Sequence, residues 1–449
     1  MAWTEPGGPH TRTSSGVAPE KNLNGDGVDA DVEVCDKDER AITDRPRVKR
    51  RVLVLCGDVA GNLGDHAILK AVCDTLRAAD PAIALRLTVT CSNRATARRS
   101  FRATTLPTGW RAWPGLWRAA RRSDLVICGG GGLFQDDDSL VKMPYWAARV
   151  MVAKSGCARV AGVSLGVGPL KAWVSRAAGR AALRRLDPVS VRDSRAQSLA
   201  STLTDRPVSV VPDPAMLLKP ASEASASAVL AAHGVPLDGR PLIGVTARRW
   251  FPPRARVVPY RLAWRWRGVG ERERANNRRL AGLLAVALDR VVERCGGHVV
   301  FLPSYNCPHE ADDALCELVG EQLRRSSWSL IRLDSPTVYK AVTAKLSVML
   351  GGRMHPTLLA ASVGTPVVGL AYNPKFHGLF DLLGLEGRVI DVLDFVEHQL
   401  VAQLVETVER AMCDGAETKP DGEPGLAGRV DDLAEQTRTF LQSLVRTIR

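Results

Sequence analysis

The chain of 449 residues carries 61 lysine and arginine residues against 48 aspartate and glutamate residues, a formal net charge of +13, with 45% hydrophobic and 24% charged residues. This length and composition exclude collagen-like, coiled-coil and wholly disordered proteins, and they predict two or three globular domains. The excess of positive charge indicates an anionic partner, a phosphate-bearing substrate or an uneven distribution of charge along the chain.

The first 48 residues are rich in Gly, Pro, Ser, Thr and Asp and lack hydrophobic periodicity, which predicts a disordered acidic tail. No basic segment followed by an apolar segment opens the chain, and no long apolar run follows later. None of the ten cysteines forms a CxxC pair, and several lie inside apolar runs. We therefore expect a cytoplasmic protein in a reducing compartment, without structural zinc.

Short apolar runs alternate with longer amphipathic stretches from residue 51 onward. Strands are predicted at 51–55, 124–132, 158–168, 188–193 and 208–213, and, after a small-residue segment at 220–240, at 241–249, 297–304, 346–352 and 365–372. Repetition of strand, turn and helix predicts an α/β protein whose parallel sheets are covered by helices. Two Rossmann-like domains that face a cleft are the simplest arrangement, and we place them at 49–225 and 226–449, the second with a C-terminal helix.

The first candidate site is the glycine-containing loop 57–65, with the sequence GDVAGNLGD, between a predicted strand and a predicted helix. Such a loop lets backbone N–H groups and a helix N-terminus approach a polar or anionic ligand, so Asn62 and Asp65 are candidate contacts to an acceptor substrate. The loop matches neither GxGxxG nor a Walker sequence. The alternative is a tight turn in which Asp65 caps the helix.

The second candidate is the loop 129–138, with the sequence GGGGLFQDDD, at the end of a predicted strand. Four glycines leave no side chains between the backbone and a ligand, which makes Gly130, Gly131, Gln135 and Asp136 candidate acceptor contacts. Three consecutive carboxylates cannot all face one cation, so no metal site is predicted here.

The third candidate is GGRMHP at 351–356, followed by a helix-like stretch, a strand and NPK at 373–375. The pattern delivers Arg353, His355 and Lys375 to the carboxyl ends of two adjacent strands, where ligands bind open α/β sheets. Arginine offers a planar fork for carboxylate or phosphate, lysine a point charge and histidine a proton at neutral pH. Arg192 is a further candidate anion contact, or it pairs with a neighbouring acid; His355 could also simply start a helix.

Two stretches carry most of the excess charge. Residues 94–122 contain eight arginines and no acid, and residues 248–279 contain eleven arginines, two glutamates and several aromatic residues. Arginines interleaved with aromatic residues can contact sugars, nucleobases or an anionic membrane. A solvated loop is the alternative. For residues 250–279 we expect a flexible element that approaches the acceptor or makes a peripheral membrane contact.

Five segments together resemble the polysaccharide pyruvyl transferase family, over residues 51–395. They are, in chain order, GDVAGNLGDHAIL, CGGGGLFQDD, SVRDSRAQSL, VPDPAMLL and GGRMHPTLLAASVGTPVVGLAYNPKFHGLFDLLG. The resemblance implies a GT-B-like pair of Rossmann-type domains that transfers the enolpyruvyl unit of phosphoenolpyruvate to a sugar of a cell-surface glycan or its lipid-linked precursor, with a pyruvate ketal and phosphate as products.

The resemblance also implies roles for individual residues. It implies that Arg192, Arg353, Met354, His355 and Lys375 bind phosphoenolpyruvate, that Arg353 and His355 are catalytic, and that His355 is the general acid. The chemistry of the donor agrees, because a carboxylate and a phosphate need several cations in a fixed array, and protonation of the methylene carbon suits a histidine. Neither a metal nor a cofactor is expected, since phosphoenolpyruvate is itself the donor substrate.

Two other functions remain open on the sequence alone. A GT-B glycosyltransferase that uses a nucleotide sugar would have the same fold and cleft. A nucleic-acid-binding protein would account for the arginine runs, but no recognisable nucleic-acid module accompanies them, so no nucleic acid partner is expected.

Overall fold

The computed structural model describes residues 48–57, 59, 61–81, 83–91, 93–137, 139–157, 159–250, 257, 270–305, 310–414 and 425–448. All but the last residue of the predicted tail therefore lies outside the described residues. Most of the predicted flexible element at 250–279 lies outside them as well, although residues 271–279 belong to a helix.

The N-terminal half, as we call it, is built on a seven-stranded parallel sheet in the order β3-β2-β1-β4-β5-β6-β7. Its elements are β1 Val48–Leu55, α1 Leu63–Arg77, β2 Ile83–Thr90, α2 Arg94–Phe101, β3 Thr104–Leu106, α3 Trp113–Arg121, β4 Leu125–Gly129, α4 Lys142–Gly156, β5 Val160–Leu165, α5 Trp173–Leu183, β6 Val189–Val191, α6 Ser194–Ser201 and β7 Val208–Val210.

The C-terminal half is built on a six-stranded parallel sheet in the order β10-β9-β8-β11-β12-β13. Its elements are α7 Glu223–Ala232, β8 Leu242–Thr246, α8 Glu271–Cys295, β9 His298–Phe301, α9 Asp312–Gly320, β10 Trp328–Leu330, α10 Pro336–Thr343, β11 Val348–Gly351, α11 Met354–Ala361, β12 Val367–Ala371, α12 Pro374–Leu383, β13 Val389–Asp391, α13 Val392–Glu397, α14 Val401–Asp414 and α15 Leu426–Arg446.

Both sheets have the strand order of a Rossmann fold. The order reverses between β1 and β4 in the first sheet and between β8 and β11 in the second, and ligands of open α/β sheets bind beside such reversal points, at the carboxyl ends of the strands. The predicted fold class, two Rossmann-like units with parallel sheets covered by helices, is confirmed.

Strand β1 shows why these sheets are covered on both faces. Val52 and Val54 belong to one buried apolar cluster, and the alternating residues Leu53 and Leu55 belong to another. Successive side chains of a strand point to opposite faces, so a strand with apolar residues at every position must be buried on both sides.

One apolar cluster is shared by the two halves. It joins α1 of the N-terminal half to α10 and α11 of the C-terminal half, so residues 47–449 form a single compact unit. The predicted boundary at residue 225 falls inside α7. No helix among the described residues is long and apolar enough to cross a bilayer.

The C-terminal helix α15 returns to the N-terminal half. Gln436 donates a hydrogen bond to the carbonyl of Val210 at 2.9 Å, and Thr437 donates to that of Pro212 at 3.3 Å. Beyond the helix, the carbonyl of Thr447 accepts a hydrogen bond from Arg159 at 2.6 Å. The helix therefore supports the chain where it leaves β7, directly before residue 213.

Candidate active site

The loops at the carboxyl ends of strands from both sheets meet at one place. The N-terminal half contributes the loops after β1, β4, β5, β6 and β7, and the C-terminal half contributes those after β8, β9, β11 and β12. Short contacts join the halves there: the backbone N–H of Leu63 donates to the carbonyl of Ser304 at 3.2 Å, and Asn62 forms an isolated bridge with Tyr305.

Asn62 begins helix α1. Its Oδ1 accepts hydrogen bonds from the backbone N–H groups of Gly64 at 3.1 Å and Asp65 at 3.4 Å, while its Nδ2 donates to Oδ2 of Asp65 at 2.8 Å. Asn62 is therefore the N-cap residue, and the alternative in which Asp65 caps the helix is wrong. The carboxylate of Asp65 is instead held in place by the capping residue.

Glycines make room for the Asp65 carboxylate. A Cβ atom at Gly57 would lie 2.3 Å from its Oδ2, and one at Gly131 would lie 2.8 Å from its Oδ1. Gly130 and Gly131 also have φ angles of +78° and +81°, which side chains rarely adopt. The glycine loop after β4 thus lets a carboxylate lie directly over its backbone.

The electrostatic surroundings of Asp65 come from both halves. Burial, with a smaller contribution from the charge of Asp213, raises the pKa of Asp65 to about 6, against the opposing charges of His355, Lys142 and Lys375. At neutral pH Asp65 is therefore a carboxylate that can accept a proton more readily than an ordinary aspartate.

His355 lies in the first turn of α11 and packs against the first turn of α1. A Cβ atom at Gly64 would lie 2.2 Å from its Nδ1, so the ring fits only because residue 64 is a glycine. Its Nε2 lies 3.6 Å from Oδ2 of Asp213, and neither atom has a hydrogen-bond partner among the described residues. The two groups are slightly beyond hydrogen-bond distance and can close on each other or on a ligand.

Asp213 is fixed by the chain that follows β7. Its Oδ1 accepts a hydrogen bond from the N–H of Ala215 at 3.0 Å and caps the 3₁₀ helix Pro214–Leu217. Burial alone would raise the pKa of Asp213, but the proximity and charge of His355, with the charge of Arg192, hold it below its ordinary value. A carboxylate of this kind can hold the imidazole ring in a fixed orientation.

Arg192 is buried at the end of β6. Its Nε donates to Oδ2 of Asp193 at 3.2 Å, so it does pair with the neighbouring acid, but its Nη1 has no hydrogen-bond partner among the described residues. A Cβ atom at Gly166 would lie 3.1 Å from its Cζ. The guanidinium group shares a cavity lining with Asp213 and Lys375.

Tyr372 lies between two cations of the C-terminal half. The Cζ atom of Arg248 is 3.7 Å from the centre of its ring, and the Nζ atom of Lys375 is 4.9 Å from it. Burial lowers the pKa of Lys375, and the charges of Arg192 and Arg248 lower it further, against the opposing effect of Tyr372 and Asp137. Three cations therefore lie within electrostatic reach of one another.

Arg353 is held by two carboxylates. Its Nε donates to both oxygens of Asp312, at 3.1 and 3.0 Å, and its Nη2 donates to Oε2 of Glu310 at 2.7 Å. Burial alone would lower the pKa of Arg353, but the two negative charges hold it above its ordinary value. The neighbouring residue Met354 is buried in the shared apolar cluster and lines the cavity beside Arg192.

Four buried nitrogen donors at these strand ends have no hydrogen-bond partner among the described residues. They are Nη1 of Arg192, Nε of Arg248, Nη1 of Arg249 and Nδ2 of Asn373. The Nε atom of Arg248 does lie 3.7 Å from Oε2 of Glu310, an ion pair slightly beyond hydrogen-bond distance. A buried donor without an acceptor costs about 1–3 kcal/mol, more when it is charged, and native proteins keep few of them. Arg192 and Arg248 lie close enough to Lys375 to shift its pKa, and Asn373 caps the helix that carries it, so the donors of these residues indicate a site for an anionic ligand.

The remaining predicted residues of the loop after β4 have different surroundings. Both carboxylate oxygens of Asp136 accept backbone hydrogen bonds, from Lys171 at 3.0 and 2.9 Å and from Ala172 at 2.9 Å. Asp136 is completely buried and ties the loop to the start of α5. Gln135 is also buried, and its Oε1 has no partner among the described residues. The geometry thus gives Asp136 a structural position, while Gln135 retains an acceptor atom.

Several residues of the site were not predicted from the sequence. Three of them lie at or near the carboxyl ends of the predicted strands 208–213, 241–249 and 365–372, so they had a usable signal: Asp213, Arg248 and Tyr372. Glu310 and Asp312 lie in no recognisable motif, and only the fold brings them to Arg353. Among the described residues, no group of three or more His, Cys, Asp or Glu side chains is placed to hold a metal ion.

A family comparison assigns the chain. The family model of polysaccharide pyruvyl transferases matches residues 62–374. The chain belongs to the polysaccharide pyruvyl transferase family. The pyruvyl transferase match covers Asp65, Arg192, Asp213 and His355 and ends one residue before Lys375. The protein is therefore a transferase of polysaccharide biosynthesis, and the predicted family and enzyme class are confirmed. No curated protein matches the chain.

Solved structures of similar fold include two UDP-GlcNAc 2-epimerases. The enzyme from Neisseria meningitidis, bound to UDP-GlcNAc, is 13% identical, with 89% of this chain and 100% of that chain covered and a TM-score of 0.53. The enzyme from Methanocaldococcus jannaschii is 12% identical, with 88% and 99% covered and a TM-score of 0.55. At these identities the likeness concerns the fold alone: this pyruvyl transferase has the GT-B-like arrangement of two Rossmann-like units.

Proposed function

We propose that this pyruvyl transferase takes its pyruvyl unit from phosphoenolpyruvate and transfers it to two hydroxyl groups of a sugar in a cell-surface glycan or its lipid-linked precursor, forming a ketal and releasing phosphate. The observation that carries the proposal is the group of unpartnered buried donors beside Lys375 and His355. Phosphoenolpyruvate carries a carboxylate and a phosphate, which such donors suit.

The donor substrate would be held mainly by Arg192, Arg248 and Lys375. Arg192 offers its Nη1 to the anion and Lys375 adds a point charge, while Arg248, whose Nε also faces Glu310 at 3.7 Å, adds a second guanidinium charge. Arg353 uses Nε and Nη2 to bind Asp312 and Glu310, so it would reach the donor through Nη1. This fixed array binds the donor and excludes water from its charged groups.

In the proposed reaction His355 donates a proton to the methylene carbon of phosphoenolpyruvate. The double bond supplies its electron pair to the new C–H bond, and the adjacent carbon becomes an oxocarbenium-like centre. A positioned general acid of this kind contributes about 10²–10⁴-fold to the rate. Asp213 would orient the ring by accepting a hydrogen bond once the two groups close together, because its Oδ2 lies 3.6 Å from Nε2 of His355.

Asp65 acts on the acceptor side. The first sugar hydroxyl attacks the oxocarbenium centre, and Asp65 takes its proton. The second hydroxyl attacks as the C–O bond to phosphate breaks; His355 takes the proton of this hydroxyl, and protonated Asp65 gives its proton to the departing phosphate. Both groups return to their starting states, and no metal or cofactor takes part in these steps. The Gly130–Gly131 loop and Gln135 would lie against the acceptor.

The experiment is phosphate release from phosphoenolpyruvate by the purified protein in the presence of cell-surface glycan or its lipid-linked precursor. His355→Gln should abolish release, and the control His398→Gln, at an exposed position far along the chain, should retain it. Thermal shifts with phosphoenolpyruvate and with nucleotide sugars separate this function from glycosyl transfer, because a specific ligand stabilises the folded state. Stabilisation by a nucleotide sugar alone would contradict the proposal.

A further inference from the structure

Exposed apolar side chains concentrate on one face of the N-terminal half. Among the described residues, ten large apolar side chains are exposed, and six of them lie on or directly beside α3, α4 and α5. These six are Trp110, Trp117, Val141, Met151, Trp173 and Val174, with Trp110 70% and Trp173 81% exposed. Single exposed apolar residues are ordinary, whereas a group on one face marks an interaction surface.

The three helices form a continuous layer over the sheet. The backbone N–H of Gly109, just before Trp110, donates to the hydroxyl of Tyr145 in α4 at 3.2 Å. At the other end, a Cβ atom at Gly156 of α4 would lie 3.0 Å from the carbonyl of Trp117 in α3. One apolar cluster beneath the layer contains Leu116 of α3, Val150 of α4 and Leu183 of α5. We call this layer the α3–α5 face.

The α3–α5 face is positively charged throughout. Helices α3, α4 and α5 contain no acidic residue, and residues 139–186 contain nine lysine and arginine residues and no acid. Arg118, Arg121, Arg122, Arg176 and Arg180 are exposed. The face therefore combines exposed tryptophans and aliphatic side chains with a charge of one sign.

Arginines also stack on the exposed aromatic rings. The Cζ atom of Arg111 lies 5.3 Å from the centre of the Trp110 ring, and that of Arg121 lies 4.9 Å from the centre of the Trp117 ring. An indole ring with a cation above it is suited to the headgroup level of a membrane, where the apolar body is buried and the cation meets a lipid phosphate.

The most exposed of these residues lie on the side of the N-terminal sheet where its strands end. Trp110 follows β3, Val141 follows the glycine loop after β4, and Trp173 begins α5, so all three lie towards the carboxyl ends of the strands. Asp136, which follows the glycine loop, accepts hydrogen bonds from the two residues directly before Trp173. A surface that contacts this face would therefore be adjacent to the candidate active site.

We propose that the α3–α5 face binds the surface of an anionic lipid bilayer. Charge complementarity selects an anionic partner, and the exposed tryptophans with Val141, Met151 and Val174 select one that has an apolar layer beneath its charges. A nucleic acid would use the arginines and stack on the rings but has no use for exposed aliphatic side chains. Binding to a bilayer requires no assumption about the transfer reaction.

The test is co-sedimentation of the full chain with vesicles, either of phosphatidylcholine alone or of equal parts phosphatidylcholine and phosphatidylglycerol. The protein should sediment with the mixed vesicles, much less with phosphatidylcholine alone, and less as salt is raised. Trp110→Ser combined with Trp173→Ser should weaken binding to the mixed vesicles by about tenfold or more. The matched pair Leu237→Ser and Val286→Ser, exposed elsewhere, should leave it unchanged.

A second pair of variants tests the charge. Arg118→Glu with Arg176→Glu should abolish vesicle binding, while Arg290→Glu with Arg410→Glu, an equal change on the C-terminal half, should weaken it only slightly. Unfolding midpoints establish that each variant is folded. Unchanged binding of both face variants would overturn the proposal. Equal binding of the unchanged protein to neutral and to mixed vesicles would also overturn it. So would variants that lose self-association, or lose binding to duplex DNA, but still bind vesicles as well as the unchanged protein does.

Discussion

Asp65 owes its raised pKa to burial and to the nearby charge of Asp213, and the side chain of Asn62 holds its carboxylate in place. A general base must be deprotonated, so kcat/KM should fall as the pH drops below about 6. Asp65→Asn should lose most of the activity and this acidic limb together. The measurement is the pH–rate profile of both proteins. If a slow but active Asp65→Asn variant keeps the acidic limb of the profile, that limb arises from another titrating group.

The same carboxylate should destabilise the fold at neutral pH. Its pKa of about 6 in the folded chain lies above the ordinary value of 3.8, so the folded state binds more protons between these pH values, and stability contributed by this group falls as the pH rises through that window. Asp65→Asn should therefore raise the free energy of unfolding at pH 7 by about 1–3 kcal/mol and have little effect near pH 4.

Urea unfolding at the two pH values measures this difference. Asp74→Asn is a suitable control, because Asp74 lies on the same helix but is exposed, paired with Lys70 at 3.1 Å, and expected to change stability by less than about 1 kcal/mol. An equal change at pH 4 and pH 7 for Asp65→Asn would mean that packing, rather than charge, determines the effect.

Arg192 should act chiefly in donor binding. Arg192→Met removes the unpartnered Nη1 donor and should raise KM for phosphoenolpyruvate by about 10- to 100-fold, the range expected for the loss of one or two hydrogen bonds to a charged group. Arg195→Met is the control, since Arg195 lies on the neighbouring α6 in an exposed pair with Asp381. Steady-state kinetics measure this KM. An unchanged KM in the Arg192→Met variant would show that Arg192 does not bind the donor.

The sequence was informative about residues that directly follow a strand. Arg353, His355 and Lys375 could be assigned to one edge of a sheet, because the carboxyl ends of parallel strands share an edge. Their partners could not be assigned. Asp312 is 41 residues from Arg353 in the chain and Asp213 lies in the other half from His355, so only the packing of α9 and of the two halves creates these pairs.

At the level of elements, α15 has a role that its place in the chain does not suggest. Leu441 of this helix is completely buried in the cluster shared by the two halves. Leu441→Ala should lower the free energy of unfolding by about 2–5 kcal/mol through lost burial and the cavity left behind. Leu237→Ala, at an exposed position, should change it by less than about 0.5 kcal/mol. Equal effects of the two substitutions in urea unfolding would contradict the role of α15.

Three of the four edge strands were missed for a physical reason, whereas the fourth, β7, was predicted within 208–213. Strands β3, β10 and β13 have three residues each and lie at the ends of their sheets, so they are too short to show a period of two and form because a longer neighbour offers hydrogen bonds. The eight-residue strand β2 was also missed, although IALRLTVT is rich in β-branched residues. All the other strands that have a neighbour on each side were predicted.

At the level of the whole molecule, the site exists only because the two halves meet. Asp65, Arg192 and Asp213 come from the N-terminal half, and His355 and Lys375 come from the C-terminal half. The fold class followed from repeated strand, glycine turn and helix, whereas the contact of the His355 ring with Gly64 depends on how the halves pack. The excess positive charge lies partly on the α3–α5 face, apart from the residues proposed for catalysis.

The most direct test of the proposed transfer follows the proton that His355 donates. The reaction is run with phosphoenolpyruvate and glycan in H₂O and in D₂O, and the glycan is examined by mass spectrometry. We expect a pyruvyl ketal in both solvents, with a single deuterium in its methyl group from D₂O, and no ketal with His355→Gln. A ketal whose methyl group carries no solvent deuterium, or one formed equally well by His355→Gln, would contradict proton donation by His355 to phosphoenolpyruvate.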